Sequence, residues 1–85
     1  MNLFFIERYI NKLTKQDITN YALSQGISLP PKETDILYTS IKSNYKTFLT
    51  NPNQQSQILK EIKTQLTPTT ASKLDELYNF YKTKF

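Results

Sequence analysis

The chain has 85 residues, 38% of them apolar and 21% charged, and its eleven basic against seven acidic side chains leave a net charge of +4. That length holds one domain with a modest core, and the composition is globular and not disordered. Cysteine, histidine and tryptophan are absent, which excludes disulfides, thiolate metal sites, cysteine nucleophiles and the usual general base near neutral pH.

Residues 2–13 are predicted to form the first helix. Asn2 is a capping residue, and Leu3, Ile6, Ile10 and Leu13 recur at helical spacing on one stripe. Phe4, Phe5 and Tyr9 lie beside or outside that stripe. Two readings stay open: other helices wrap both flanks and bury the rings, or the rings are exposed and form a dimer or partner surface.

The second helix is predicted over 15–25. Thr14 followed by Asp17 is a start signal, because the hydroxyl accepts a free N–H and the carboxylate faces the positive end of the dipole. Gly26, the only glycine, stands where the helix needs a left-handed residue to stop. Ile27 to Leu29 are held extended by the proline that follows. Pro30 and Pro31 then open a third helix over 31–44, with Glu33 and Asp35 in its first turn and Ile36, Leu37 and Ile41 facing inward. Asn44 is read as its stop. Residues 45–50 either extend this helix, since Tyr45 and Phe48 keep its face, or form a connector whose aromatics plug the core. The connector, with some helical turn, is the preferred reading.

Asn51-Pro52 starts a fourth helix over 52–66, with Gln54 completing a capping box. Ile58, Leu59, Ile62 and Leu66 form its stripe, and Gln55, Gln57, Lys60, Glu61 and Lys63 are read as facing solvent. Thr67-Pro68 starts the fifth helix, over 68–84. Its inner face carries Ala71, Leu74, Leu77, Tyr78, Tyr81 and Phe85. No alternating run is found and valine is absent. The expected fold is all-α, a compact orthogonal bundle of about five short helices in a single domain.

Catalysis is not expected. The acidic pairs Glu33/Asp35 and Asp75/Glu76 point apart on a helix and have no calcium-loop spacing. One glycine cannot build a phosphate-cradling loop. No metal, cofactor or small-molecule substrate is implied. No stretch reaches the roughly 20 apolar residues that span a bilayer, and no signal peptide is evident, so the expected setting is cytoplasmic.

Two binding functions remain. Eleven Phe and Tyr residues exceed what so small a core can bury, which points to a protein partner or homodimer contacting Phe4, Phe5 and Tyr9, or Phe80, Tyr81 and Phe85. The alternative is a nucleic-acid module. The helix–extended connection–helix at 13–46 resembles, locally, the SAP-like DNA-binding motif, with Gly26 and Lys32 near that pattern's glycine and lysine and Pro30-Pro31 in place of its second glycine. The resemblance implies phosphate contacts from Lys32, Lys42 and Lys46, with Tyr38 and Tyr45 nearby.

Over most of its length the chain also resembles a family of short uncharacterised all-helical proteins of Bacillus-like and Staphylococcus-like bacteria, classed as a domain of unknown function. The shared features are the Leu-Thr-x-x-Asp-Ile start at 13–18, the Gly-Ile-Ser-Leu turn at 26–29 and the Leu-Thr-Pro-x-Thr-Ala junction at 66–71. This resemblance implies an all-helical fold in a bacterial cytoplasm and assigns no activity or site residue.

Overall fold

A computed structural model describes residues 3–82, with side chains over residues 4–80. Five α-helices follow one another: α1 (Leu3–Lys12), α2 (Lys15–Ser24), α3 (Pro31–Thr50), α4 (Gln55–Lys63) and α5 (Pro68–Lys82), with a single 3₁₀ turn at Pro52–Gln54. The described residues contain no strand, and the fold is a small all-α bundle. Its radius of gyration, 12.5 Å, is close to the roughly 12 Å of a folded chain this long.

Local chemistry sets the ends of α2. The Thr14 hydroxyl accepts the Asp17 amide at 3.1 Å, and the Asp17 carboxylate accepts the Thr14 amide at 2.9 Å, which closes a capping box. At the other end Gly26 has φ +81°. A Cβ built there would meet nothing within 4 Å, so a substitution is penalised by backbone conformation alone. Gly26→Val should therefore destabilise by about 1–2 kcal/mol in a denaturant melt, and Gly26→Asn by clearly less. Equal stability of all three proteins would contradict the left-handed stop.

Pro31 takes the first position of α3, with the extended Pro30 (φ −62°, ψ 148°) as its N-cap. From there α3 runs 20 residues, about 30 Å, and serves as the central helix: α1, α2 and α4 all pack against it. It does not stop at Asn44. No described residue other than Gly26 has positive φ, and the Asn44 side-chain amide donates back to the Ser40 carbonyl at 3.0 Å within the helix. Residues 45–50 are thus helix and not connector. The cause is tertiary. Phe48 packs edge-on against Tyr78 of α5 at 5.8 Å between ring centres. The Gln55 amide donates to the Phe48 carbonyl at 2.8 Å, and the Tyr78 hydroxyl donates to the Gln55 carbonyl oxygen at 2.9 Å. Gln55 is therefore half-buried at a junction, not turned to solvent.

The Asn51–Gln54 capping box does not form. The Asn51 side chain makes no capping bond, and the 3₁₀ turn delays the start of α4 to Gln55. Helix α4 ends at Lys63, and 64–66 form a turn. Lys63 is not a free solvent-facing charge either, since its ammonium bonds both oxygens of Asp75 at 2.9 and 3.0 Å.

The core is thin. Ile10, Leu13, Ile18, Ile58 and Leu59 are its buried apolar residues, and no described side chain is fully enclosed. Its one buried acid is Glu33, only 4% exposed. Its position in the first turn of α3 predicts a helix-start charge, but its carboxylate turns inward to the start of α5. Its carboxylate accepts the Thr67 amide at 2.6 Å and the Thr70 hydroxyl at 3.4 Å, while the Thr67 and Thr70 hydroxyls lie 3.2 Å apart. Glu33 thereby satisfies the free N–H at the start of α5 that an acid three residues on would satisfy in a local capping box. Asp35, by contrast, stays at the surface and pairs with Lys15 at 2.9 Å, a contact worth little to stability.

Candidate interaction surface

Because α5 packs against α4 and stands away from α1 and α2, the helices leave an open cleft of about 410 Å³ between them. Ile10 and Leu13 of α1 and Ile18 and Ala22 of α2 line one side. Leu37 and Ile41 of α3 form the floor, and Leu74 and Leu77 of α5 face them. Few polar groups reach it: Asp17, Gln25, Thr70 and Lys73 stand along its walls. The size and apolar lining are those of a ligand or peptide pocket. Three of these polar groups are already engaged, Asp17 in the α2 capping box, Thr70 with Glu33 and Thr67, and Lys73 with Glu76 at 3.2 Å.

Tyr9 also lines this cleft. It is 67% exposed, and beside it on α1 Phe5 is 64% and Phe4 61% exposed. The rings are thus exposed and not wrapped by other helices: α1 buries only its Ile10 stripe against α3 and turns the three aromatics outward. At about 100° per residue, Phe4, Arg8, Lys12, Phe5 and Tyr9 fill a continuous arc of about 140°. Phe4 and Phe5 meet edge-on at 5.9 Å, and the Arg8 guanidinium lies 5.8 Å from the Phe4 ring centre. A ring residue presents roughly 200 Å², so three at two-thirds exposure offer about 400 Å² of aromatic surface.

Of the second aromatic group, Phe80 on α5 is 54% exposed. Phe85 and the Tyr81 side chain lie outside the described residues. The lysines of the nucleic-acid reading are not equivalent. Lys42 reaches across to α1 and donates to the carbonyls of Ile10 and of Asn11, the latter at 3.3 Å, so it caps the negative end of that helix. Its ammonium also lies 5.3 Å from the Tyr38 ring centre, with Lys15 at 5.6 Å from the same ring. Lys32 and Lys46 are exposed but stand about 21 Å apart along α3. The cleft escaped sequence reasoning because it is a gap left by four helices. Glu33 had a signal: Thr67-Pro68 opens a helix with no acid at Thr70 to take the free amide.

None of the described helices is long and apolar enough to cross a membrane, and among the described residues no three His, Cys, Asp or Glu are grouped to hold a metal ion. The fold and surface define a small all-helical protein with an aromatic, basic first helix beside an open apolar cleft. The chain belongs to the family described as Protein of unknown function (DUF2624), which matches residues 1–82. No curated protein and no solved structure matches it significantly.

Proposed function

We propose that this protein is a non-enzymatic cytoplasmic interaction module that docks another protein on the outward face of α1 and the adjoining cleft. The observation that carries this reading is Tyr9, which belongs at once to the exposed aromatic strip and to the cleft wall. The two features therefore make one surface. Aromatic and arginine side chains beside a concave apolar site are the usual anchors of a protein interface. The assignment of no catalytic role is supported by how the carboxylates are used. Asp17 and Glu33 serve helix starts, and Asp35, Asp75 and Glu76 pair with lysines. Nucleic-acid binding has less in its favour, because Lys42 is committed to α1 and leaves Lys32 and Lys46 well separated.

Phe5→Ser combined with Tyr9→Ser tests the reading. Both rings are mostly exposed, so the variant should keep its helical signal and lie within about 1 kcal/mol of wild type in a denaturant melt. Proteins held by a tagged wild-type bait in extracts of the producing cells should be lost from the variant. Undiminished capture by the double variant would contradict the proposed surface.

A further inference from the structure

Resting on that reading, we infer that the partner presents an acidic amphipathic helix, whose apolar side chains enter the cleft and whose carboxylates meet Arg8 and Lys12. The argument is one of charge and shape. Within the arc from Phe4 to Tyr9 every ionisable side chain other than tyrosine is basic, and Arg8 and Lys12 are both exposed. Neither belongs to an ion pair among the described residues, whereas Lys15, Lys63 and Lys73 each have a carboxylate partner. Glu7 falls on the opposite flank of α1, about 60° beyond Phe4. A partner covering the aromatics must therefore neutralise two cations or leave them desolvated, which is costly.

That requirement disfavours a second copy of this chain. A two-fold contact through α1 would set Arg8 and Lys12 against their own counterparts, at like-charge cost. Shape disfavours a flat anionic membrane, because Arg8 lies between the phenylalanines instead of flanking them, and a bilayer cannot fill the cleft beside Tyr9. The aromatic strip alone offers about half of the roughly 800 Å² per partner of a stable interface. A helix that also lies in the cleft supplies the remainder, in the helix-in-groove manner.

The test uses two synthetic helical peptides of about 15 residues with the same leucine and phenylalanine positions, one with glutamate and one with lysine elsewhere. Fluorescence anisotropy with the full chain should show the acidic peptide binding at least about tenfold tighter. Arg8→Glu with Lys12→Glu should abolish or reverse that preference. Lys46→Glu with Lys60→Glu, which removes the same charge from exposed sites on α3 and α4, should largely retain it. Equal binding of the two peptides, no binding of either, or equal losses in both double variants would overturn the inference. So would flotation of the wild type, but not of Arg8→Glu/Lys12→Glu, with phosphatidylglycerol vesicles in the absence of any peptide preference, or a mass of two chains for the wild type alone, but not for Arg8→Glu/Lys12→Glu, in light scattering. Loss of the acidic preference while Phe5→Ser/Tyr9→Ser still abolishes partner capture would remove only the charge assignment. Failure of both would remove the docking surface.

Discussion

Glu33→Ala should lower the unfolding free energy by about 2–3 kcal/mol. The carboxylate is buried and accepts the Thr67 amide and the Thr70 hydroxyl. Alanine leaves the part-buried Thr67 amide without an acceptor and reduces the Thr70 hydroxyl to its contact with the Thr67 hydroxyl. For a domain of this size the midpoint of thermal unfolding should fall by about 10–20 °C. Glu33→Gln should cost only about 1 kcal/mol, because its carbonyl still accepts the Thr67 amide and the Thr70 hydroxyl can turn to accept from the new NH₂. Glu61→Ala, which removes an exposed carboxylate bonded only to the Gln57 side chain and keeps the main-chain carbonyl that Thr64 donates to, should stay within about 0.5 kcal/mol of wild type. If Glu33→Ala matched Glu61→Ala, the link between α3 and the start of α5 would be absent in solution.

Tyr78→Ala should cost about 3 kcal/mol and should do so locally. The ring packs on Phe48, and its hydroxyl orients Gln55, whose amide in turn holds the Phe48 carbonyl. Removing it takes away the support of the last turns of α3. Hydrogen exchange should then show lost protection over residues 47–51, with the amides of α2 nearly unchanged. Tyr78→Phe keeps the ring contact and loses one hydrogen bond, so about 1 kcal/mol is expected. Uniform deprotection of the whole chain in Tyr78→Ala would mean that residues 45–50 have no separate dependence on this junction.

These two sites also mark how far the chain could be read without its fold. The α2 capping box and the Gly26 stop are legible because every participant lies within a few residues of its partner. Pro31 opens α3 for the same reason. Residues 45–50 are different. Their helical face is visible as Tyr45 and Phe48, but Asn44 and Asn51 offer competing stops, and the helix is sustained by Tyr78, 30 positions beyond Phe48. Glu33 acts on a residue 34 positions away, and Lys42 caps carbonyls 31 and 32 positions away. Spacing rules have no access to such pairs. The candidate surface was half legible. An excess of aromatic residues is evident from composition, but which rings face outward depends on α1 burying only one stripe against α3. The cleft exists only once α5 has docked on α4.

The most direct test of the docking surface is site-specific photo-crosslinking in living cells. A benzophenone side chain placed at Phe5 or at Tyr9 should yield, on irradiation, the same discrete adduct, heavier than the chain by the mass of one partner. The same group at Gln57, on the exposed face of α4, should yield none. Adducts that form equally from Gln57, or none at all from Phe5 and Tyr9, would contradict a partner bound on α1 and the cleft.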